Sequence, residues 1–302
     1  MNKTPLRRIS LPFSAILILI GIIASTIEVS AQQRDTTALF RVETRDGNEY
    51  FGRILEQNND QLRLETEKLG IITIRMMEIV DIDFVNRKEI KDEKYWFENP
   101  QSTRHFWSPN GYGLKRGEGY YQNIWVLFNQ VSVGITDHFS IGAGAVPLFL
   151  FAGTSTPAWL TPKFSIPVQD NFSIGAGGLF GTVLGEQDTG FGIAYGLLTV
   201  GSRDQNMTLG MGYGYAGKTW ATTPAISLSA LIRTGARGYI VTENYYLSSG
   251  GEGVLLLSFG GRRIIKKTGL DFGVFISAVT GGGFLAVPWL GVTVPFGKRP
   301  GY

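Results

Sequence analysis

From about residue 105 onward, apolar and small residues alternate along the chain. In residues 207–216 the odd positions are Met, Leu, Met, Tyr and Tyr, and the even ones are Thr, Gly, Gly, Gly and Ala. Phe139, Ile141 and Ala143 stand opposite Ser140, Gly142 and Gly144, and Phe164, Ile166 and Val168 stand opposite Lys163 and Ser165. Ile226, Leu228, Ala230 and Ile232 oppose Ser227, Ser229, Leu231 and Arg233, while Leu270, Phe272, Val274 and Ile276 oppose Asp271, Gly273, Phe275 and Ser277. Successive side chains of a strand point to opposite faces, so a period of two predicts strands with one apolar face. In a soluble sandwich the second face carries charge. Here it is mostly Gly and Ser, interrupted by Lys163, Arg233, Arg262 and Asp271. Such a face suits the interior of a closed barrel whose apolar side meets lipid.

The stretch also repeats. His138-Phe139-Ser140-Ile141-Gly142-Ala143-Gly144 returns as Asn171-Phe172-Ser173-Ile174-Gly175-Ala176-Gly177. Weaker copies sit at Met207, Tyr239 and Leu270, each after a tight polar turn. One period fits one hairpin, with two strands of about ten residues. Eleven strands are predicted from residue 119 onward and one more over residues 104–114. That makes an up-and-down barrel of about 12 strands over residues 105–296, with 10 as the other count. An even number puts both barrel ends in the periplasm. Tyr120, Tyr121, Phe139, Phe172, Tyr239, Tyr245, Tyr246, Trp159 and Trp289 gather near strand ends and predict aromatic girdles at the two interfaces. Glu243 either faces inward, within reach of Arg233 or Lys163, or yields that face to Thr242 and Asn244. A bulge would reconcile the two patterns.

Upstream, residues 38–85 hold five short alternating runs. Phe40, Val42 and Thr44 precede the hairpin signal Asp46-Gly47; residues 50–55 follow, then Leu62 and Leu64, Ile72 and Ile74, and finally Ile79, Ile82 and Phe84. The pattern V-x-T-x-D-G, G-x-I-L, L-x-L-x-T, G-x-I-x-I resembles Sm-like and SH3-like small barrels. That resemblance implies a peptide- or RNA-binding fold, but no RNA-binding residue carries over. The reading is a structural domain, or one that touches a periplasmic protein or peptidoglycan. Residues 86–104 crowd Arg87, Lys88, Glu89, Lys91, Asp92, Glu93 and Lys94 together and read as a charged linker.

The N-terminus reads as an address. Lys3, Arg7 and Arg8 precede an apolar run over residues 11–27, then Val29-Ser30-Ala31. This predicts a signal peptide over residues 1–31, cleaved before Gln32, with an uncleaved anchor as the alternative. No later run reaches the ~18 apolar residues of a spanning helix, so a membrane location demands a barrel. The last strand, with Gly291, Val294 and Phe296, resembles the C-terminal signal of bacterial outer-membrane β-barrel proteins, although residues 297–302 follow it as a tail. The resemblance implies a Gram-negative outer-membrane location, and the even strand count would put the small domain in the periplasm.

Composition narrows the chemistry. Cys is absent, which excludes disulfides, thiolate metal sites and Cys nucleophiles. The formal charge is +3, of which Lys3, Arg7 and Arg8 minus Glu28 contribute +2, so the mature chain carries no electrostatic case for nucleic acid. Gly212-x4-Gly217-Lys218-Thr219 matches the P-loop pattern, but Pro224 leaves no room for the helix that would hold phosphate. It is read as a Gly-rich strand entering a loop, with no ATP. Pairs such as Gly175-x-Gly177 lack the βαβ unit of a dinucleotide site. Histidine is limited to His105, near the first expected strand, and His138, in a turn. No catalytic, metal or cofactor residues are assigned. Lys163, Arg233, Arg262, Asp271 and Glu243 are the candidate lumen-lining residues, and the three cations would bias a pore toward anions. Small inward residues leave a barrel of this size unfilled, so water, a plug or a ligand must occupy it. The reading is a non-enzymatic outer-membrane barrel, either a passive channel for small solutes or lipids or an envelope scaffold. An assembly module acting through residues 38–85 and a lipid-modifying enzyme are the alternatives.

Overall fold

The computed structural model describes residues 38–85, 90–91, 94–249, 252–279 and 284–297. The expected signal peptide, residues 86–89 and 92–93 of the linker, and the tail beyond 297 lie outside the described residues. The chain divides into two compact units, Met1–Phe84 and Val85–Tyr302.

In the first unit the alternating runs form β1 (Phe40–Thr44), β2 (Glu49–Gln57), β3 (Gln61–Thr66), β4 (Gly70–Arg75) and β5 (Ile79–Phe84), paired in the order β4-β3-β2-β1-β5. Asp46-Gly47 turns the first hairpin, with Gly47 at φ 83°, where a Cβ would be strained. A 3-10 turn, Met76–Glu78, joins β4 to β5. Val42, Leu62, Leu64 and Ile74 make the core, with Ile54, Ile72 and Ile82 packed on it. Arg41 is fully buried among four carboxylates: Glu43 at 2.7 Å, Glu49 at 3.1 Å, and Asp81 and Asp83 at 3.0 Å. Burial works against its charge, but the bonds to Glu43 and Asp83 outweigh that and raise its pKa.

The second unit begins with a short ribbon, β6 (Ile90–Lys91) with β7 (Lys94–Tyr95). The barrel follows: β8 (Glu118–Ile124), β9 (Phe128–Gly134), β10 (Phe139–Ala145), β11 (Thr156–Leu160), β12 (Lys163–Gln169), β13 (Phe172–Leu184), β14 (Phe191–Gly201), β15 (Asn206–Ala216), β16 (Thr219–Trp220), β17 (Ala225–Arg233), β18 (Gly238–Ser249), β19 (Glu252–Ile265), β20 (Thr268–Val279) and β21 (Phe284–Gly297). A short helix α1 (Pro147–Phe151) joins β10 to β11. β11 and β12 both pair with β10 and β13, so they are one wall strand interrupted at Thr161-Pro162. β16 only folds back on β15. β21 pairs with β8, from Gly297↔Glu118 to Gly291↔Ile124, and closes a twelve-stranded antiparallel barrel.

Facing follows the alternation. Leu209, Met211, Phe164, Ile166, Leu228 and Phe272 are exposed on the outer wall, whereas Thr208, Ser165, Ser229 and Asp271 are buried inside. Tight turns at residues 135–138, 170–171, 202–205, 234–237 and 266–267 gather at one end, together with Glu118 and Gly297. Three expectations need correction. The strand placed over residues 104–114 does not exist, and all twelve wall strands begin at Glu118 or later. Pro109 and Asn110-Gly111 give that segment turn chemistry instead. The aromatic girdle is partly an interior: Tyr120, Trp159, Tyr239 and Trp289 are buried on the inner side. β18 needs no bulge, because its register with β19 is the same at Tyr239↔Arg262 and Tyr245↔Leu256. Glu243 faces in. Thr242 and Asn244 face out and stand in for ladder bonds, Thr242 Oγ1 donating to Ser258 O at 2.6 Å and Asn244 Oδ1 accepting from Ser258 N at 3.0 Å.

Candidate functional site

Residues 96–117 enter the barrel from its tight-turn end, turn round inside it and return to β8. The two limbs of this finger are tied to each other. Asn110 N donates to Thr103 O at 3.1 Å, His105 N to Ser108 O at 2.9 Å, and Asn110 Nδ2 to Ser102 O at 3.0 Å. An isolated bridge joins Arg104 to Pro109.

At the mouth, Phe97 N donates to Ala236 O at 3.2 Å, and Arg233 Nη2 donates to Phe97 O at 2.7 Å while its Nη1 pairs with Asp204 at 2.6 Å. Deeper in, Arg262 is fully buried. Its Nε and Nη2 meet both oxygens of Asp271 at 2.6 and 3.0 Å. Its remaining donors reach Asn99 Oδ1 (3.0 Å), Gln101 O (2.9 Å), Gln101 Oε1 (3.0 Å) and His105 O (2.5 Å). The fingertip sits on Glu243. Three successive backbone amides, of Phe106, Trp107 and Ser108, donate to its Oε2 at 2.9, 2.9 and 2.8 Å, and Tyr245 OH donates to Oε1 at 2.6 Å. Consecutive N–H groups aimed at one oxygen make an anion nest, here filled by a side chain of the wall.

The returning limb lies against β12, β13 and β14. Lys163 Nζ donates to Thr103 O at 3.2 Å and to Tyr112 O at 2.5 Å. Gly111 N donates to Thr199 Oγ1 at 2.7 Å, and Arg203 Nη2 to Gly113 O at 2.8 Å. A Cβ on Gly111 would stand 2.7 Å from Ser173 O, and Gly175 lies directly beside it. Ser173 and Gly175, from the second copy of the Ser-x-Gly-x-Gly repeat, are therefore part of the room into which the finger fits.

All five sequence-predicted lumen residues face inward, but none lines open water. Arg262, Asp271, Glu243 and Lys163 are buried, and the Arg233 side chain is 7% exposed. Two cavities lie beside the finger. A cavity of about 20 Å³ between Arg104, Tyr120 and Lys163 has room for one water, and one of about 180 Å³ lies at the mouth between Glu98, Leu114, Lys115 and Arg203.

The other candidate motifs take structural places. Residues 212–216 run in β15 and β16 pairs back onto it, so no helix follows Lys218, which meets Asp188 at 3.0 Å. His105 is in the finger, its Nε2 3.2 Å from Asn206 Oδ1, and His138 is in a turn with Nδ1 3.1 Å from Ser165 O. Among the described residues neither ring bonds a serine hydroxyl.

No protein-family model and no curated protein matches the sequence. Solved structures do. The chain is similar to KdgM porin, with 11% identity, a TM-score of 0.45, and 59% of this chain and 99% of that one covered. It is similar to the CymD monoaromatic hydrocarbon channel, with 9% identity, a TM-score of 0.38, and 86% and 87% covered. OmpT, an outer-membrane protein of Vibrio cholerae in its trimer form, matches at 9% identity and a TM-score of 0.30, with 86% and 96% covered. Likenesses this distant carry nothing about cargo.

Proposed function

We propose that the chain is an outer-membrane channel held shut by its own finger, and that solutes pass only when residues 96–114 leave the lumen. The observation that carries this is the finger's occupancy: it bonds to side chains of β8, β12, β14, β17, β18, β19 and β21 and leaves a one-water cavity beside it. The apolar outer wall supports the membrane location. The anion bias expected of Lys163, Arg233 and Arg262 is reduced, because Asp271 offsets Arg262 and Asp204 offsets Arg233, which leaves Lys163. Weak ion selectivity is the expectation for an emptied lumen.

Planar-bilayer recording tests the reading. The full chain should be nearly silent, and a variant lacking residues 98–113 should conduct. Heat-modifiable gel migration verifies that both are folded barrels. A folded deletion that conducts no more than the full chain overturns the channel.

A second reading, assembly through residues 38–85, is favoured by Leu69, Ile71 and Met77, large apolar side chains exposed along and beside β4. The strand order and the 3-10 turn before the last strand support an SH3-like assignment for this unit. A periplasmic protein or peptidoglycan would be its partner. Crosslinking in cells with and without residues 38–85, with the barrel retained, tests it; an unchanged set of adducts would retire it.

A further inference from the structure

We propose that the wall over β8, β9 and β10 is a side door between the lumen above the finger and the hydrocarbon of the bilayer, and that its traffic is apolar molecules. This deepens the channel reading and rests on the barrel spanning a membrane.

The wall is uneven. β8, β9 and β10 have 7 residues each, against 13 in β13 and 14 in β19 and β21. A seven-residue strand tilted by about 40° rises roughly 18 Å, less than the ~25 Å apolar band that such a barrel presents. The pairing of β21 with β8 stops at Gly291↔Ile124, while its pairing with β20 runs on to Phe284↔Ala278. Residues 284–290 therefore stand as an edge with no strand on the β8 side. Trp125 caps two carbonyls of that edge, N donating to Leu290 O at 3.0 Å and Nε1 to Pro288 O at 2.7 Å. Pro288 itself has no N–H to leave unpaired there.

What stands in the gap is apolar. Trp125 and Val126 make a tight turn at φ 52° and 65°, and Val126 projects outward. Beyond β10 comes α1, Pro-Leu-Phe-Leu-Phe, with Leu148, Phe149, Leu150 and Phe151 all exposed, the last at 85%. No charged residue occurs between His138 and Lys163. A water-facing loop rarely reads this way, and a wall too short for the bilayer places the segment at hydrocarbon depth. Irregular backbone is tolerated there where it lines a cavity.

The inner side matches. Phe106 and Trp107 of the fingertip pack into a ring collar: Phe106 lies 5.6 Å from Trp289, and Trp107 lies 6.0 Å from Phe128 and 6.2 Å from Trp159. Trp125 joins it, 5.1 Å from Trp289. The collar walls off the polar finger contacts below. Above it Ile193, Leu256 and Val287 are half-buried on the inner side. The upper lumen thus carries apolar side chains among a few hydroxyl groups such as Ser277, and it is bounded by the shortest part of the wall.

The chain has no cysteine, so single-cysteine variants label cleanly. Val287→Cys places a bimane on the inner side of the unpaired part of β21. Ile193→Cys places one on β14, half-way round the ring. Leu150→Cys reports on α1. In phosphatidylcholine vesicles containing lipid with a mid-chain nitroxide, quenching at position 287 should exceed that at 193 at least threefold, and position 150 should be quenched as well. Equal quenching at 287 and 193 overturns the door. So does a position 150 that responds to aqueous iodide and not to the lipid. Naphthalene should change the emission at 287 saturably where glucose does not; no change, or the same change with glucose, overturns the apolar assignment. These readings use the finger-intact protein and need no conductance. A finger deletion that fails to conduct therefore ends the channel reading without touching them, and negative quenching ends the door without touching the conductance.

Discussion

In the five-stranded unit the apolar side chains turn inward, and Val42, Leu62 and Leu64 have no exposed surface. In the barrel most of them turn outward, and the buried set includes Lys163, Glu243, Arg262, Asp271 and several serines and threonines beside aromatic and aliphatic side chains such as Trp289 and Leu231. Both units are antiparallel sheets with the same period of two. What separates them is which face carries the apolar side chains and the filling each can hold. The small unit encloses too little space for anything but its own side chains. A twelve-stranded ring encloses more than its inward side chains fill, and a polar finger occupies the surplus. Each unit also buries an arginine, with opposite surroundings. Arg41 is ringed by partly exposed carboxylates at one face of its sheet, whereas Arg262 shares the lumen with Asp271, 2% exposed, and with groups of the finger.

The largest effect is expected at Arg262. Replacing it with Met strands Asp271 in the lumen and frees Gln101 and His105 of the finger. Removing one partner of a buried pair costs about 3–5 kcal/mol. The midpoint of the heat-induced gel shift should fall sharply, and pairing the change with Asp271→Leu should restore much of the loss. An undiminished midpoint in the single variant would mean that the lumen is wet enough to solvate the carboxylate.

The next test sets the two outer surfaces side by side. Leu209 on β15 is 49% exposed and Ile71 on β4 is 54% exposed. By exposure they are alike. Leu209→Arg should nevertheless destabilise the barrel by about 2–4 kcal/mol, because the guanidinium enters hydrocarbon. Ile71→Arg should stay within about 0.5 kcal/mol, because it enters water. Urea unfolding in lipid vesicles reads the first and unfolding of the β1–β5 unit the second. Equal small effects would remove the barrel from the membrane.

The alternation of residues 207–216 and the tight turns before each repeat made the wall legible, because side-chain period and turn chemistry are local properties. The same holds for the five runs between Phe40 and Phe84. The finger was not legible as a finger. Its bonds join residues 135 to 137 positions apart, such as Phe106, Trp107 and Ser108 to Glu243. A strand expected over residues 104–114 meets Pro109 and Asn110-Gly111, which argue for a turn. The small inward residues announced a space but not its occupant. The alternation allows Glu243 either facing, with Arg233 or Lys163 within reach if it turns inward. Its actual donors are chiefly backbone amides, which leave no mark in a sequence.

Glu243 is also where the contrast between the units can be tested most gently. Glu243→Gln keeps the size and an accepting oxygen but removes the charge. Hydrogen bonds to an ionised acceptor are about twice as strong as neutral ones, so the three amide bonds of the nest should lose on the order of 1 kcal/mol together, allowing for what the neutral amide still accepts. A loss of about 1.4 kcal/mol corresponds to a tenfold change in an opening equilibrium. Hydrogen exchange at the Phe106, Trp107 and Ser108 amides should therefore accelerate by up to roughly tenfold in folded protein, while amides of β1–β5 exchange as before. If the fingertip amides keep their full protection, the carboxylate is not what holds the tip, and the collar of Phe106, Trp107, Trp159 and Trp289 must be holding it instead.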